Sequence, residues 1–142
     1  MKYKVYYTSA KKVAEQIAEV IAGVLDVSAE RLFPAYMPDG VDLMFIGCDG
    51  AHAENVVLDF ISQLKPDRVR YAALFNANAK MSPRALDQRR ALLAEHGVKV
   101  LDNTLLCLSR PFQHDLPEFD RIAAKDFATA SCREVSAHSA AR

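Results

Sequence analysis

The chain has 142 residues, 51% hydrophobic and 25% charged, a balance that excludes a disordered chain and suits one globular domain with an ordinary core. Eighteen basic and eighteen acidic residues cancel, so no whole-molecule field recommends nucleic acid or an anionic membrane as a partner. No apolar run approaches the roughly 20 residues of a membrane span.

The opening residues, MKYKVYYTS, alternate like a strand and carry no signal-peptide pattern. Cys48, Cys107 and Cys132 stand at unrelated spacings that make neither a disulfide framework nor a zinc pattern. The expectation is a cytoplasmic protein with reduced thiols, no metal site and an oligomeric state that the sequence leaves open.

Lys2 to Tyr7 reads as the first strand, and Val13, Ile17, Val20 and Val24 then mark one face of a helix ending near Leu25. Asp26 to Leu32 is a poorly alternating second strand. Pro34, Pro38, Asp39 and Gly40 follow and break any helix, which predicts an irregular link. In Val41 to Gly50 the unbroken run Leu43-Met44-Phe45-Ile46 suits a strand buried on both faces of a parallel sheet. A Gly47-Cys48-Asp49-Gly50 turn leads from it into a helix with Val57, Phe60, Ile61 and Leu64 on one side.

Arg70 to Phe75 reads as another buried strand, left through the loop Asn76 to Ala79. Ser82-Pro83 starts a helix that buries Leu86, Leu92 and Leu93 and runs to His96, with Gly97 as its C-terminal cap. Val98 to Leu108 carries the last strand, broken around Asp102-Asn103. Asp115 to Glu118 forms a capping box for a final helix buried through Phe119, Ile122, Ala123, Phe127 and Ala130. Residues 1–130 thus form the domain, and 131–142, small and polar, a flexible tail.

Five strands alternating with four helices predict an α/β fold, a three-layer αβα sandwich around a five-stranded parallel sheet of order 2-1-3-4-5. The carboxyl ends of such strands bring together Thr8-Ser9, Cys48 to His52, Asn76 to Asn78 and Ser109-Arg110, the candidate site. Every member has a purely structural reading as well. Ser9 serves as an N-cap, and Asp49-Gly50 makes a tight turn. Asn76 and Asn78 can bond their own loop backbone, and Cys48 is either a buried hydrophobe or a thiol activated by a helix N-terminus. Lys11 and Lys12 oppose the helix dipole at a cost of about 0.3–1 kcal/mol each when exposed, and are either solvated or counter-ions to a bound anion.

In the order and spacing of these pieces the chain resembles a small flavodoxin over almost all of residues 2–130. KYKVYYTS with KKVAEQIAEVIAGVL resembles the first strand and helix, and VDLMFIGCDG and YAALFNANA the strands before the two flavin loops. VLDNTLLCLSRPF and DLPEFDRIAAKDFATA resemble the fifth strand and last helix. The resemblance implies an FMN-dependent electron carrier with a redox protein as partner, rather than an enzyme with its own substrate or catalytic residues. It implies that Thr8, Ser9, Ala10 and Lys11 hold the FMN phosphate. Cys48, Asp49, Gly50, Ala51 and His52 would lie on one side of the flavin ring, and Asn76, Ala77 and Asn78 on the other. Gly50 would let a peptide turn over toward the reduced flavin.

Two departures from the family's pattern predict atypical, weak FMN binding. The Thr/Ser-X-Thr-Gly-Asn-Thr phosphate loop is shortened to Tyr7-Thr8-Ser9-Ala10-Lys11, without its glycine and asparagine. Neither Cys48 to His52 nor Asn76 to Lys80 offers Trp, Tyr or Phe to stack on the ring, and His52 is the one planar substitute. The alternative is a cofactor-free flavodoxin-like protein that binds or regulates a partner. A response-regulator receiver is disfavoured because Thr8-Ser9 stand where an acidic Mg²⁺ cluster is needed. Neither G-x-S-x-G nor a Cys-x₅-Arg loop is present to support a hydrolase.

Overall fold

The computed structural model describes residues 1–8, 12–32, 37–48, 51–65, 67–76, 83–106 and 116–140, with backbone alone at 12, 48, 51–55, 83, 85 and 139–140. Strands β1 (Tyr3–Thr8), β2 (Ala29–Arg31), β3 (Val41–Cys48), β4 (Val69–Asn76) and β5 (Lys99–Leu106) alternate with helices α1 (Lys12–Leu25), α2 (Ala51–Ser62), α3 (Pro83–Glu95) and α4 (Glu118–Ala140). All strand pairings are parallel, and the sheet order is β2-β1-β3-β4-β5, as expected.

The sheet forms because its central strands have apolar residues on both faces. Leu43, Met44, Phe45 and Ile46 are fully buried, as are Ala72 to Phe75 opposite them. Alternation sends Leu43 and Phe45 into one core with α1 and α4, where the Phe45 and Phe127 rings meet edge to face at 5.6 Å. Met44 and Ile46 enter the other core with Val57, Phe60 and Ile61 of α2 and Leu93 of α3. The result is the three-layer sandwich.

Chain termini of the helices follow local chemistry. Gly97 takes a left-handed φ of 78°, with Val98 N–H donating to the Leu93 carbonyl and Gly97 N–H to that of Ala94, a Schellman cap on α3. The same pair of bonds closes α1 around Asp26, at φ 56°. That cap uses residues 26 and 27, so β2 begins only at Ala29 and is much shorter than the expected Asp26–Leu32. The link to β3 has no helix among its described residues. Leu32 and Pro38 are buried, and Met37 packs on the α2/α3-side core.

Two expectations for the C-terminus are overturned. Residues 131–140 are not a tail: α4 continues to Ala140, with Ser131 and Val135 buried. Its inward face is Ala124, Phe127, Ala128, Ser131 and Val135, whereas Phe119 and Ile122 are 81% and 51% exposed. The proposed Asp115 cap and Ser82 cap lie outside the described residues.

Candidate functional site

Register places the strand ends with unusual clarity. Thr8 pairs with Cys48, Cys48 with Asn76, and Asn76 with Leu106, so one row crosses four strands at the carboxyl edge of the sheet. Gly47 and Cys48 thus belong to the strand rather than to a turn, and Asn76 ends β4 instead of starting a loop. Helices α1, α2 and α3 each begin on the carboxyl side of a strand in this row. Their positive dipole ends therefore face the same edge, which favours an anionic ligand there.

Thr8 is 6% exposed, and its buried Oγ1 has no hydrogen-bond partner among the described residues. Leaving such a hydroxyl unsatisfied costs about 1–3 kcal/mol, which an oxygen-rich ligand would relieve. On the opposite, α1-facing side of β1, Tyr7 Oη donates to Glu15 Oε1 at 3.3 Å. Burial, and then the Glu15 carboxylate, push the Tyr7 phenol above its ordinary pKa. Asn76 is 2% exposed at the middle of the row.

Of the other expected site residues, Ser9, Ala10, Lys11, Asp49, Gly50, Ala77 and Asn78 lie outside the described residues, as do Cys107 and Arg110. The backbone of Cys48, Ala51 and His52 is placed, at the end of β3 and the start of α2, but their side chains lie outside the description. The register thus brings Thr8, Cys48 and Asn76 together.

Cavities bordered by described residues lie away from this row. One of about 320 Å³ is lined by Lys2, Lys4, Tyr6, Glu30, Met37 and Asp39, where the link between β2 and β3 crosses the sheet. Lys4 Nζ and Glu30 Oε2 pair at 2.9 Å beside it. Burial, assisted by Glu30, pushes the Tyr6 phenol up to about 12. Among the described residues no cluster of His, Cys, Asp and Glu is arranged to hold a metal ion. No described helix is long and apolar enough to cross a membrane.

Cys132 is half-buried on α4, not carried on a mobile tail. Burial raises its thiol pKa, with a smaller opposing effect from Tyr3. Less thiolate is therefore present at any given pH, and alkylation of native Cys132 should be slower than in urea at pH 8. Timed alkylation with peptide mapping measures this, and native and unfolded rates that coincide would contradict it. The same experiment reads Cys48, whose place between a strand and a helix N-terminus makes it the thiol expected to react unusually fast.

Three further residues, Gly47, Arg90 and Glu134, have structural roles that no local sequence pattern marks. Gly47 permits the Phe75 ring to cross its strand, since a Cβ there would overlap the ring. Glu134 and Arg90 bind the backbone of β5. The break around Asp102-Asn103 was the one available signal for this second feature.

No protein-family model matches the sequence, and no curated protein matches it. Solved structures do. Oxidised Flavodoxin 1 from Bacillus cereus superposes with a TM-score of 0.66 at 18% identity, over 97% of this chain and 99% of that one. Oxidised Flavodoxin 2 from the same organism gives 0.65 at 18% identity, covering 94% and 99%. A flavodoxin, WrbA-like protein from Agrobacterium tumefaciens gives 0.64 at 13% identity, covering 94% and 98%. Together with the 2-1-3-4-5 parallel sheet and its four helices, these matches establish that the chain has the flavodoxin-like α/β fold.

Proposed function

We propose that the chain is an FMN-dependent electron carrier that holds its flavin loosely. The observation that carries this reading is the buried Thr8 hydroxyl, without a partner among the described residues, at the start of the carboxyl row where β1 ends and the chain leads into α1. That donor fits a phosphate oxygen, in keeping with the helix termini gathered at this edge. Thr8, Ser9, Ala10 and Lys11 would hold the phosphate, with Cys48 to His52 and Asn76 to Asn78 on either side of the ring. Bound FMN would supply reversible transfer of one or two electrons.

The chain's own residues then bind and orient. Thr8 donates its hydroxyl proton in a hydrogen bond, Lys11 adds charge, and Gly50 allows its peptide to rotate without a Cβ clash. Each hydrogen bond to a charged phosphate contributes roughly 1.5–3 kcal/mol, and the short loop has fewer of them to offer. Lack of an aromatic stack removes about another 0.5–1.5 kcal/mol. A redox protein would approach this same edge, where the ring is accessible.

The test is a fluorescence titration of the purified protein with FMN and with riboflavin, alongside Thr8→Val. The expected protein is colourless or partly loaded and binds FMN weakly. Thr8→Val should reduce FMN affinity roughly ten- to a hundredfold and leave riboflavin affinity unchanged, because riboflavin has no phosphate. No binding at millimolar FMN would overturn the reading in favour of a cofactor-free partner-binding protein. A stoichiometrically yellow protein would overturn the loose-binding part alone.

A further inference from the structure

The outer strand β5 does not run straight beside β4. Val100 pairs with Ala72 and Thr104 with Leu74, so Leu101, Asp102 and Asn103 stand against the single residue Ala73. Two extra residues are thus looped out of the edge strand, and their backbone groups are claimed from both sides. On the α4 side, Glu134 accepts from Asp102 N–H at 2.9 Å, from Asn103 N–H at 3.3 Å and from Asn103 Nδ2 at 2.8 Å. His138 Nε2 lies 3.7 Å from the same carboxylate. On the α3 side, Arg90 donates through Nη1 to the Leu101 carbonyl at 3.0 Å and through Nη2 to Thr104 Oγ1.

We infer that Glu134 and Arg90 form a two-sided clamp that sets the register of β5, and with it which residues β5 delivers to the carboxyl row. An even insertion is the case that needs such a device. A one-residue slip would turn every side chain of β5 to the opposite face, whereas a two-residue slip preserves inside and outside. Alternation of apolar and polar residues therefore guards poorly against absorbing the bulge. If the bulge were absorbed, Asp102 would face Leu74 and Thr104 would face Asn76. Leu106 and everything after it would then move outward by two residues, roughly 6–7 Å. Charge-assisted bonds from a carboxylate and a guanidinium oppose this, because absorbing the bulge would strand both groups.

Glu134 and Arg90 are thus positioning residues, acting on the site only through β5. The consequence for flavin rests on the proposed function above, but the register does not. Isotope-labelled full-length protein with Glu134→Ala and Glu134→Gln provides the test, read by cross-strand proton contacts, amide exchange and flavin titration. Glu134→Ala should lose the Leu74–Thr104 contact and speed exchange at Asp102 and Asn103 by roughly ten- to a hundredfold. Glu134→Gln keeps one acceptor oxygen and should retain the pairing with partial protection, which covers the case of an alanine variant that fails to fold.

Flavin affinity should fall equally for FMN and riboflavin, since β5 does not touch the phosphate end; Thr8→Val should affect FMN alone. An unchanged Leu74–Thr104 pairing in Glu134→Ala would overturn the clamp, even if exchange were faster, because the carboxylate would then cap the bulge without fixing the register. Should the wild type bind no flavin, the flavin reading falls while the pairing still decides the clamp.

Discussion

Replacing Leu93 by alanine is expected to lower the unfolding free energy by on the order of 2–5 kcal/mol. Leu93 is fully buried on the inward face of α3, against the core shared with Met44, Ile46 and Leu74. Leu86 and Leu92 are only partly buried against that core, so Leu93 is the one fully buried apolar side chain among the described residues of the helix. The neighbouring buried position is Arg89, whose guanidinium cannot take over an apolar contact without a desolvation cost. The hole left by truncation is enclosed by strand residues whose backbone is fixed by sheet pairing and can collapse only partly. Urea denaturation reads the effect directly. A loss below about 0.5 kcal/mol, typical of surface substitutions, would show that α3 is held by something else.

Gly47→Ala is expected to destabilise by about 1–3 kcal/mol through crowding rather than through a lost contact. Gly47 lies within β3, paired to Tyr7 on one side and Phe75 on the other. The fully buried Phe75 ring occupies the place that a Cβ would take. Neither partner has room to yield: β3 is bonded to strands on both edges, and the ring is embedded in the core with α1 and α4. Combining Gly47→Ala with Phe75→Leu should recover part of the loss, which a double-mutant cycle measures as a favourable coupling. Additive losses in that cycle would show that the ring is not the obstacle.

Most of the frame could be read from residue patterns because burial leaves a periodic record. The run Leu43 to Ile46 has no polar interruption, as expected where a strand is covered on both faces, and Val57, Phe60 and Ile61 repeat at helical spacing. The last helix was misread because its buried face is made of small residues. Ala124, Ala128 and Ser131 allow α4 to lie close to α1, which itself buries Ala14, Ala18 and Ala22. A search for large apolar residues favours Phe119 and Ile122, yet both are exposed.

The middle of β5 shows a different limit. Its break was visible at Asp102-Asn103, but the stabilising carboxylate comes from Glu134, about thirty residues later, and no local pattern links the two. Most of the expected residues of the candidate site fall in segments between strand and helix, where residues 9–11, 49–50 and 77–82 have no periodicity to interpret. The fold therefore followed from sequence more readily than the site, of which strand ends such as Thr8 and Asn76 were the accessible part.

Strand β2 has only three residues, one open edge and no described helix in the link above it. Opening free energies should accordingly be graded across the sheet, from shallow at β2 to the full global value at β3 and β4, whose residues are sealed in both cores. β1 lies between these extremes, and Thr8 is its last residue. A ligand gripping Thr8 would therefore bind at the breathing margin of the molecule, and its binding free energy would be spent partly on quieting that margin. Protection gained at β1 and β2, far more than at β3 and β4, would be the dynamic signature of an occupied carboxyl edge.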